Sequence, residues 1–177
     1  MEDNKNRTFL LGDIGGTNSR IQIYQNFNDE AASFESRYKT GDFTKMEELL
    51  DKVIVDYPDL EPKNTIACVG IASFVKDNKA TITANYDWEE TNGDKMKEHY
   101  GKFSHYSYLI LFLGFIEFRL LNDFVACGYS LTGLDTQQVV NLTPHLQPFA
   151  DIDLKQFQKY VFVGPGTGLG VCQCVVT

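Results

Sequence analysis

The chain has 177 residues, of which 43% are hydrophobic and 23% charged, a composition typical of a globular protein that can bury a core. Its formal net charge of -8 argues against nucleic acid or an anionic membrane surface as the main partner, although small anions could still bind at backbone amides. The cysteines lack paired spacing, which disfavours zinc and a disulfide framework and favours reduced, mostly buried thiols. The polar amino terminus lacks the apolar core of a secretory signal, so the sequence predicts a cytoplasmic protein.

The first third of the chain predicts an antiparallel meander followed by a helix. Apolar runs and period-two alternation predict strands at "TFLLGDIGG", "SRIQIYQN" and "ASFESRYKT". A change to helical spacing then predicts a helix from Thr44 to Tyr57. A capping box between Thr44 and Glu47 would open this helix, and Pro58 would close it.

The remainder of the chain alternates between predicted strands and helices. Strands are expected at "NTIACVGIA", "ATITANYDW" and "FRLLNDF", with a short polar helix or turn at "NGDKMKEHYG". A helix from about Phe124 to Leu131 follows, and "QKYVFVGPGTGLGVCQCVV" predicts a strand, a glycine loop and a further strand. This alternation predicts an α/β fold.

The segment Lys102–Gly114, "KFSHYSYLILFLG", ends in apolar residues without a clear period. It is too short for a membrane span, which needs about 20 apolar residues. One interpretation is a buried strand or core helix. The other depends on a family resemblance given below.

A first candidate binding loop lies in "LGDIGGTNSR", where an apolar run ends. Gly15 and Gly16 present backbone amides without a Cβ in the way, and Thr17 and Asn18 add side-chain donors, as a phosphate group requires. Asp13 would be badly placed beside phosphate unless a divalent cation, usually a hydrated Mg²⁺, lies between them. A simple hairpin turn, which Asp and Gly also favour, stays open.

A second glycine cluster, "GPGTGLG" at Gly164–Gly170, again follows an apolar strand and carries a hydroxyl at Thr167. Two such loops could hold one polyphosphate from both sides. Neither loop has the spacing of a P-loop or of a GxGxxG dinucleotide motif. A glycine-rich hairpin is the alternative interpretation.

Between the two loops, "RLLNDF" places Asp123 at the carboxyl end of a predicted strand, where open α/β sheets bind ligands. Its carboxylate could accept a proton from an attacking hydroxyl. The alternative is that Asp123 is the N-cap of the next helix and that Asn122 is a turn residue.

The three motifs together, in this order, resemble the first phosphate motif, the catalytic Asn-Asp segment and the second phosphate loop of the bacterial-type glucokinases. "ITANYDW" is also similar to the Asn-x-x-Trp segment of that family, here Asn85 to Trp88. The resemblance implies an α/β, ribonuclease-H-like (actin-like ATPase) fold. Its small domain would comprise residues 1–121, and residues 122–177 would begin a second, larger domain.

The resemblance also implies roles for individual residues. Asp123 would be the catalytic base that takes the proton from the 6-hydroxyl of glucose or a similar hexose, with ATP as phosphate donor, and Asn85 and Asn122 would hold sugar hydroxyls. Asp13 would orient Mg²⁺ through water. The phosphate oxygens would be held by Gly15, Gly16, Thr17, Asn18, Gly166, Thr167 and Gly168. A homodimer is left open, and no nucleic acid or membrane partner is expected.

The chain departs from the family pattern in three places. Ser73-Phe74 replaces the usual Gly-Pro, family members continue for roughly another domain beyond Thr177, and Lys102–Gly114 is an atypical insert. The insert suggests a hypothesis, that it is translated non-coding sequence such as a retained intron, which sequencing the transcript would test. Two alternatives to glucokinase activity follow: an inactive fragment that binds only phosphate or a partner, and another sugar kinase of the superfamily.

Overall fold

The structure is a computed structural model that describes residues 7–81, 88, 90–100, 114–130, 159–165 and 169–175. The chain divides into two compact units, Met1–Asp123 and Phe124–Thr177. The division into domains after residue 121 stays a prediction. The insert at 102–114 lies outside the described residues except for its last glycine, Gly114.

Ten strands and three α-helices are described. The strands are β1 (Thr8–Ile14), β2 (Asn18–Tyr24), β3 (Phe34–Lys39), β4 (Thr65–Ile71), β5 (Val75–Lys76), β6 (Lys79–Ala80), β7 (Thr91–Asn92), β8 (Glu117–Asn122), β9 (Lys159–Pro165) and β10 (Leu169–Val175). The helices are α1 (Met46–Asp56), α2 (Gly93–His99) and α3 (Asp123–Ser130). Short 3-10 turns occupy Thr40–Asp42 and Pro62–Asn64.

A five-stranded mixed sheet with the order β3-β2-β1-β4-β8 forms the centre of the first unit. β1, β2 and β3 pair antiparallel, which confirms the predicted meander, whereas β1, β4 and β8 run parallel. Period-two alternation puts apolar side chains of β1, β2 and β4 on a buried face, where they form one cluster with the apolar stripe of α1. The sheet therefore fixes which strand ends lie side by side.

Helix α1 begins two residues later than predicted, and the predicted capping box is wrong. Lys45 is the N-cap, so Glu48 rather than Glu47 occupies the third helical position. The Glu48 carboxylate accepts the Thr44 backbone N–H at 2.7 Å and the Thr44 hydroxyl at 3.0 Å. These two bonds lower the pKa of Glu48.

A small three-stranded sheet, β5-β6-β7, lies between β4 and α2 in the chain. Asp77 and Asn78, with φ of 50° and 57°, form a two-residue hairpin turn between β5 and β6. Left-handed backbone at both central residues defines the type I′ turn that such hairpins favour. Helix α2 follows β7, and the side chain of Asn92 caps it by accepting the N–H groups of Asp94 and Lys95. Of the predicted strand "ATITANYDW", residues 82–87 lie outside the described part of the chain.

The second unit contains most of α3 and the antiparallel pair β9 and β10, which confirms the two predicted strands, whereas residues 166–168 of the predicted loop lie outside the described part of the chain. Cys127 is exposed and Cys68 and Cys172 are half-buried, so the expectation of mostly buried thiols is wrong for the described cysteines. Among the described residues, no helix has the length and apolar character needed to cross a membrane.

Candidate functional site

The candidate site lies where three parallel strands end together. Ile14 at the end of β1 pairs with Ile71 at the end of β4, and Ile71 pairs with Asn122 at the end of β8. The segments that follow these residues therefore leave the sheet at one edge. In open α/β sheets this carboxyl edge is where ligands bind.

The first glycine loop connects β1 to β2 at this edge. The N–H of Gly15 donates to the carbonyl oxygen of Asn18 at 3.0 Å, which closes a tight hairpin between antiparallel strands. A Cβ on Gly15 would meet the same oxygen at 3.0 Å, so a larger residue would require this backbone to shift. The hairpin interpretation is therefore confirmed, and it is compatible with phosphate binding because Thr17 and Asn18 remain exposed.

Two buried hydroxyl groups form a hydrogen-bonded chain that ends on the backbone of this loop. Ser19 and Thr40 are both fully buried, and their hydroxyl oxygens lie 2.9 Å apart. The Thr40 hydroxyl donates to the carbonyl oxygen of Gly15 at 2.8 Å, and the Thr40 backbone N–H donates to that of Thr17 at 3.0 Å. Sequence analysis missed Thr40, because nothing in the local pattern marks a residue that acts 25 positions away.

Asp13 stands in an unfavourable electrostatic environment. Partial loss of hydration and the neighbouring Asp123 carboxylate raise the pKa of Asp13, and Arg20, its partner on β2, opposes them more weakly. Two neighbouring carboxylates make this strand edge electronegative, which favours a cation bound near Asp13. Asp13 and Asp123 are thus brought together, as the predicted site requires.

Asn122 orients the candidate base. Its amide nitrogen donates to the carbonyl oxygen of Ser73 at 3.0 Å and to Oδ1 of Asp123 at 2.9 Å. Since an amide nitrogen has two hydrogens, these bonds engage both. Asp123 is the first residue of α3 rather than its N-cap, so the alternative capping role does not fit its position.

Ser73 connects this edge to the small sheet. It is almost fully buried, and its hydroxyl donates to the carbonyl of Thr81 while its own carbonyl accepts from Asn122. The next residue, Phe74, is 70% exposed. Asn122 is thus tethered to a backbone carbonyl, which any residue at position 73 would supply, while the Ser73 hydroxyl adds the bond to Thr81.

The side chain of Asn78 hydrogen-bonds to the outer edge of β8, which is the last strand of the sheet. Its Nδ2 donates to the carbonyl oxygen of Phe118 at 2.9 Å, and its Oδ1 accepts the N–H of Leu120 at 2.9 Å. These are the groups that a further strand would pair with, so one side chain replaces a strand. The Asp-Asn pair between alternating residues was a hairpin signal that sequence analysis did not use.

Four of the predicted site residues lie outside the described part of the chain. They are Asn85, Gly166, Thr167 and Gly168. The described members, together with Ser73 and Thr40, all belong to the first compact unit.

A cavity of about 690 Å³ lies elsewhere in the first unit, between α1, α2 and the turn that precedes β4. Asp51, His99 and Tyr100 line it, and none of the candidate site residues does. Burial and the Asp51 carboxylate raise the pKa of Tyr100, so its hydroxyl stays protonated and donates hydrogen bonds. The cavity is not part of the candidate site.

The donor set of the site fits Mg²⁺. Within the described residues, no three His, Cys, Asp or Glu side chains form a metal-binding cluster. Mg²⁺ commonly retains several waters and is held by one or two carboxylates together with substrate phosphates, rather than by a complete protein cage. The Asp13 carboxylate supplies one such ligand, whereas the Asp123 carboxylate accepts a hydrogen bond from Asn122.

Comparison with known proteins identifies matches along almost the whole chain. The sequence model of the family described as "Glucokinase" matches residues 10–177. A glucokinase of Sinorhizobium medicae is 29% identical over 94% of this chain, and one of Brucella melitensis is 30% identical over 95%. In both cases the match covers 42% of the relative, so the chain spans less than half the length of these curated relatives.

Solved structures show the same fold. The crystal structure of a glucokinase from an Antarctic psychrotroph superposes with a TM-score of 0.68 at 21% identity, covering 98% of this chain and 48% of that one. The glucokinase of Balamuthia mandrillaris, solved in complex with glucose, gives a TM-score of 0.64 at 17% identity, covering 99% of this chain and 46% of that one. The predicted ribonuclease-H-like fold is thereby confirmed.

Proposed function

Because the chain belongs to the glucokinase family, we propose that it transfers the γ-phosphoryl group of ATP to the 6-hydroxyl of glucose, or forms the amino-terminal part of a protein that does so. The observation that carries the proposal is the arrangement at the carboxyl edge of the sheet. There Asn122 holds the Asp123 carboxylate, beside Asp13 and the hairpin that begins at Gly15.

The proposed reaction needs few protein groups. The oxygen of the sugar 6-hydroxyl attacks the γ-phosphorus, its proton passes to the Asp123 carboxylate, and the bond from phosphorus to the bridging oxygen of ADP breaks. Phosphoryl transfer depends mainly on positioning and charge stabilisation, which fits a base held by a neighbouring amide. Asn122 would orient this base through its hydrogen bond. As the family resemblance implies, it would also bind a sugar hydroxyl.

Two features of the site would balance the negative charge of the triphosphate: a metal ion and the donors of the first glycine loop. Asp13 would hold, through water, the Mg²⁺ that accompanies ATP, and that ion would neutralise part of the phosphate charge. The loop from Gly15 to Asn18 would supply backbone and side-chain donors to phosphate oxygens. Asn85 and the second loop at 166–168 keep their proposed roles in sugar and phosphate binding.

A coupled assay of ADP release tests the proposal, with the 177-residue chain, glucose and Mg-ATP. Asp123→Asn removes the base but keeps the shape of the side chain, and we expect turnover to fall at least about a hundredfold. Asp59→Asn is a matched control, because Asp59 is exposed near Thr8 at the opposite edge of the sheet. Equal loss in both variants would contradict a base role for Asp123.

A second candidate function is phosphate or nucleotide binding without turnover. The coverage of 42% of the curated relatives supports it, since residues beyond this part of the family could be required for catalysis. Saturable Mg-ATP binding without glucose-dependent ADP release would establish this alternative.

The most specific parts of the proposal are that the sugar substrate is glucose and that the protein acts in the cytoplasm. The sugar rests on the family and on the neighbour solved with glucose, and the compartment rests on the lack of paired spacing among the cysteines of the sequence. Comparing glucose with mannose and fructose in the same assay would test the choice of hexose.

A further inference from the structure

We propose that Thr40 is a positioning residue that fixes the first glycine loop in the orientation needed to bind an anion. Thr40 contacts the loop at two points: its hydroxyl donates to the carbonyl oxygen of Gly15, and its backbone N–H donates to that of Thr17. One residue beyond the end of β3 therefore holds both sides of the loop.

The direction of the side-chain bonds follows from counting protons. Thr40 has one hydroxyl hydrogen, and the bond to Gly15 uses it. The 2.9 Å contact with Ser19 must then be a donation from the Ser19 hydroxyl to the Thr40 oxygen. The resulting chain, from Ser19 to Thr40 to the Gly15 carbonyl, contains two fully buried side chains, so water does not compete for these bonds.

The orientation of one peptide group follows from this chain. In a trans peptide the C=O and the next N–H point in opposite directions. Because Thr40 holds the Gly15 carbonyl inward, the N–H of Gly16 must point away from Thr40, toward the side where the loop meets solvent. The identity of the anion as a nucleotide phosphate rests on the proposed function, whereas the fixed peptide orientation does not.

The structure offers a matched control for this interpretation. Thr65 is also fully buried, and its hydroxyl donates to a backbone carbonyl, that of Glu61, at 2.7 Å. Thr65 pairs with Thr8 at the beginning of β1, roughly 20 Å from the glycine loop at 3.3 Å per residue. Thr40→Val and Thr65→Val thus each remove one hydroxyl-to-carbonyl bond, at opposite edges of one sheet, and Thr40→Val also removes the acceptor of Ser19.

Amide hydrogen exchange and ¹⁵N-correlated NMR spectra of the 177-residue chain test the positioning role without any ligand. In Thr40→Val we expect the Gly15 amide to exchange about 5 to 30 times faster, as loss of one buried hydrogen bond implies, and the Gly16 resonance to shift. Thr40→Ser should restore both signals, and Thr65→Val should leave them unchanged. If Thr40→Val alters this loop no more than Thr65→Val does, the proposal is wrong.

Ser19→Ala provides a second variant if Thr40→Val does not fold. It removes the first donor of the chain but leaves Thr40 in place, so we expect the same change at Gly15, of smaller size. No change at Gly15 in a folded Ser19→Ala protein would also overturn the proposal.

Titration with Mg-ATP separates this inference from the proposed function. If Mg-ATP shifts the Gly16 resonance in the wild-type chain and binds about 5 to 30 times more weakly to Thr40→Val, both are supported. If wild-type protein shows no response to Mg-ATP while Thr40→Val still disturbs the loop, the positioning role is supported and the nucleotide assignment fails.

Discussion

The two sides of the candidate site are held in place by different means. On the glycine-loop side, the hydroxyls of Ser19 and Thr40 are fully buried and come from the same antiparallel meander as the loop. On the carboxylate side, the amides of Asn78 and Asn122 hold β8 and Asp123, and they contact residues 40 and 49 positions away along the chain.

The difference indicates where each side tolerates change. A buried hydroxyl needs only one acceptor, so serine can replace threonine at low cost. The Asn78 amide must donate to one backbone group of β8 and accept from another at the same time. Its surroundings must therefore leave the planar amide enough room to keep this orientation. We therefore expect mutations near the amides to destabilise the protein more than those near the hydroxyls.

The largest expected effect comes from Gly93→Ala. A Cβ at Gly93 would lie 2.5 Å from Nδ2 and 2.6 Å from Oδ1 of Asn78, so the amide would have to leave its partners on β8. We expect a loss of about 3 kcal/mol in the free energy of unfolding, measured with urea. Gly41→Ala is the control, because its Cβ would meet nothing within 4 Å. Equal stability of the two variants would show that Asn78 can move without cost.

A smaller loss is expected from Asn78→Asp. Aspartate tolerates the left-handed backbone at this turn but cannot donate to Phe118, and it would place a carboxylate against that of Asp94. We expect a loss of about 2 kcal/mol, with a fall in any glucose-dependent turnover through displacement of β8. Asp77→Asn changes the neighbouring turn residue, which has a similar φ of 50°, and should be nearly neutral in the same urea measurement.

The smallest expected effect has the opposite sign. Since the pKa of Asp13 is raised above 3.8 in the folded state, the folded protein holds this proton more tightly than the unfolded chain. The Asp13 contribution to stability therefore falls as pH rises from 3.8 through the folded pKa, and the cost persists at neutral pH.

Asp13→Asn should accordingly stabilise the protein slightly at pH 7 and weaken Mg-ATP binding. Urea unfolding of wild type and variant across this pH range measures the difference. A stability difference that does not change with pH, or stronger Mg-ATP binding in the variant, would contradict the role given to Asp13. Asp59→Asn serves as the control at the opposite edge of the sheet.

Local sequence patterns predicted the elements but not the bonds between them. The meander, the helix after it and the strand ending at Asn122 follow from periodicity, because period-two and helical spacing are local properties. The capping box of α1 was misplaced because the pattern cannot distinguish Glu47 from Glu48 without the helix start. Element boundaries depend on such single bonds.

The site was predictable only where its residues belong to short motifs. The "GDIGG" and "NDF" motifs located Asp13, Gly15 and Asp123, whereas Thr40 and Asn78 could not be found in this way. Their roles arise from contacts with residues 25 and 40 positions away along the chain, which exist only once the sheet has formed. Residues that position a site through long-range contacts are therefore harder to predict from sequence than the residues of the site's own motifs.

Trp88 is the single tryptophan of the chain, and it is 2% exposed. Its indole N–H donates at 2.8 Å to the carbonyl of Phe43, whose own N–H donates to the carbonyl of Thr40 at 3.3 Å. Tryptophan fluorescence, excited selectively over the tyrosines, thus comes from one shielded fluorophore next to the segment that supports the glycine loop. A red shift of its emission would report loosening of that segment, without any added label.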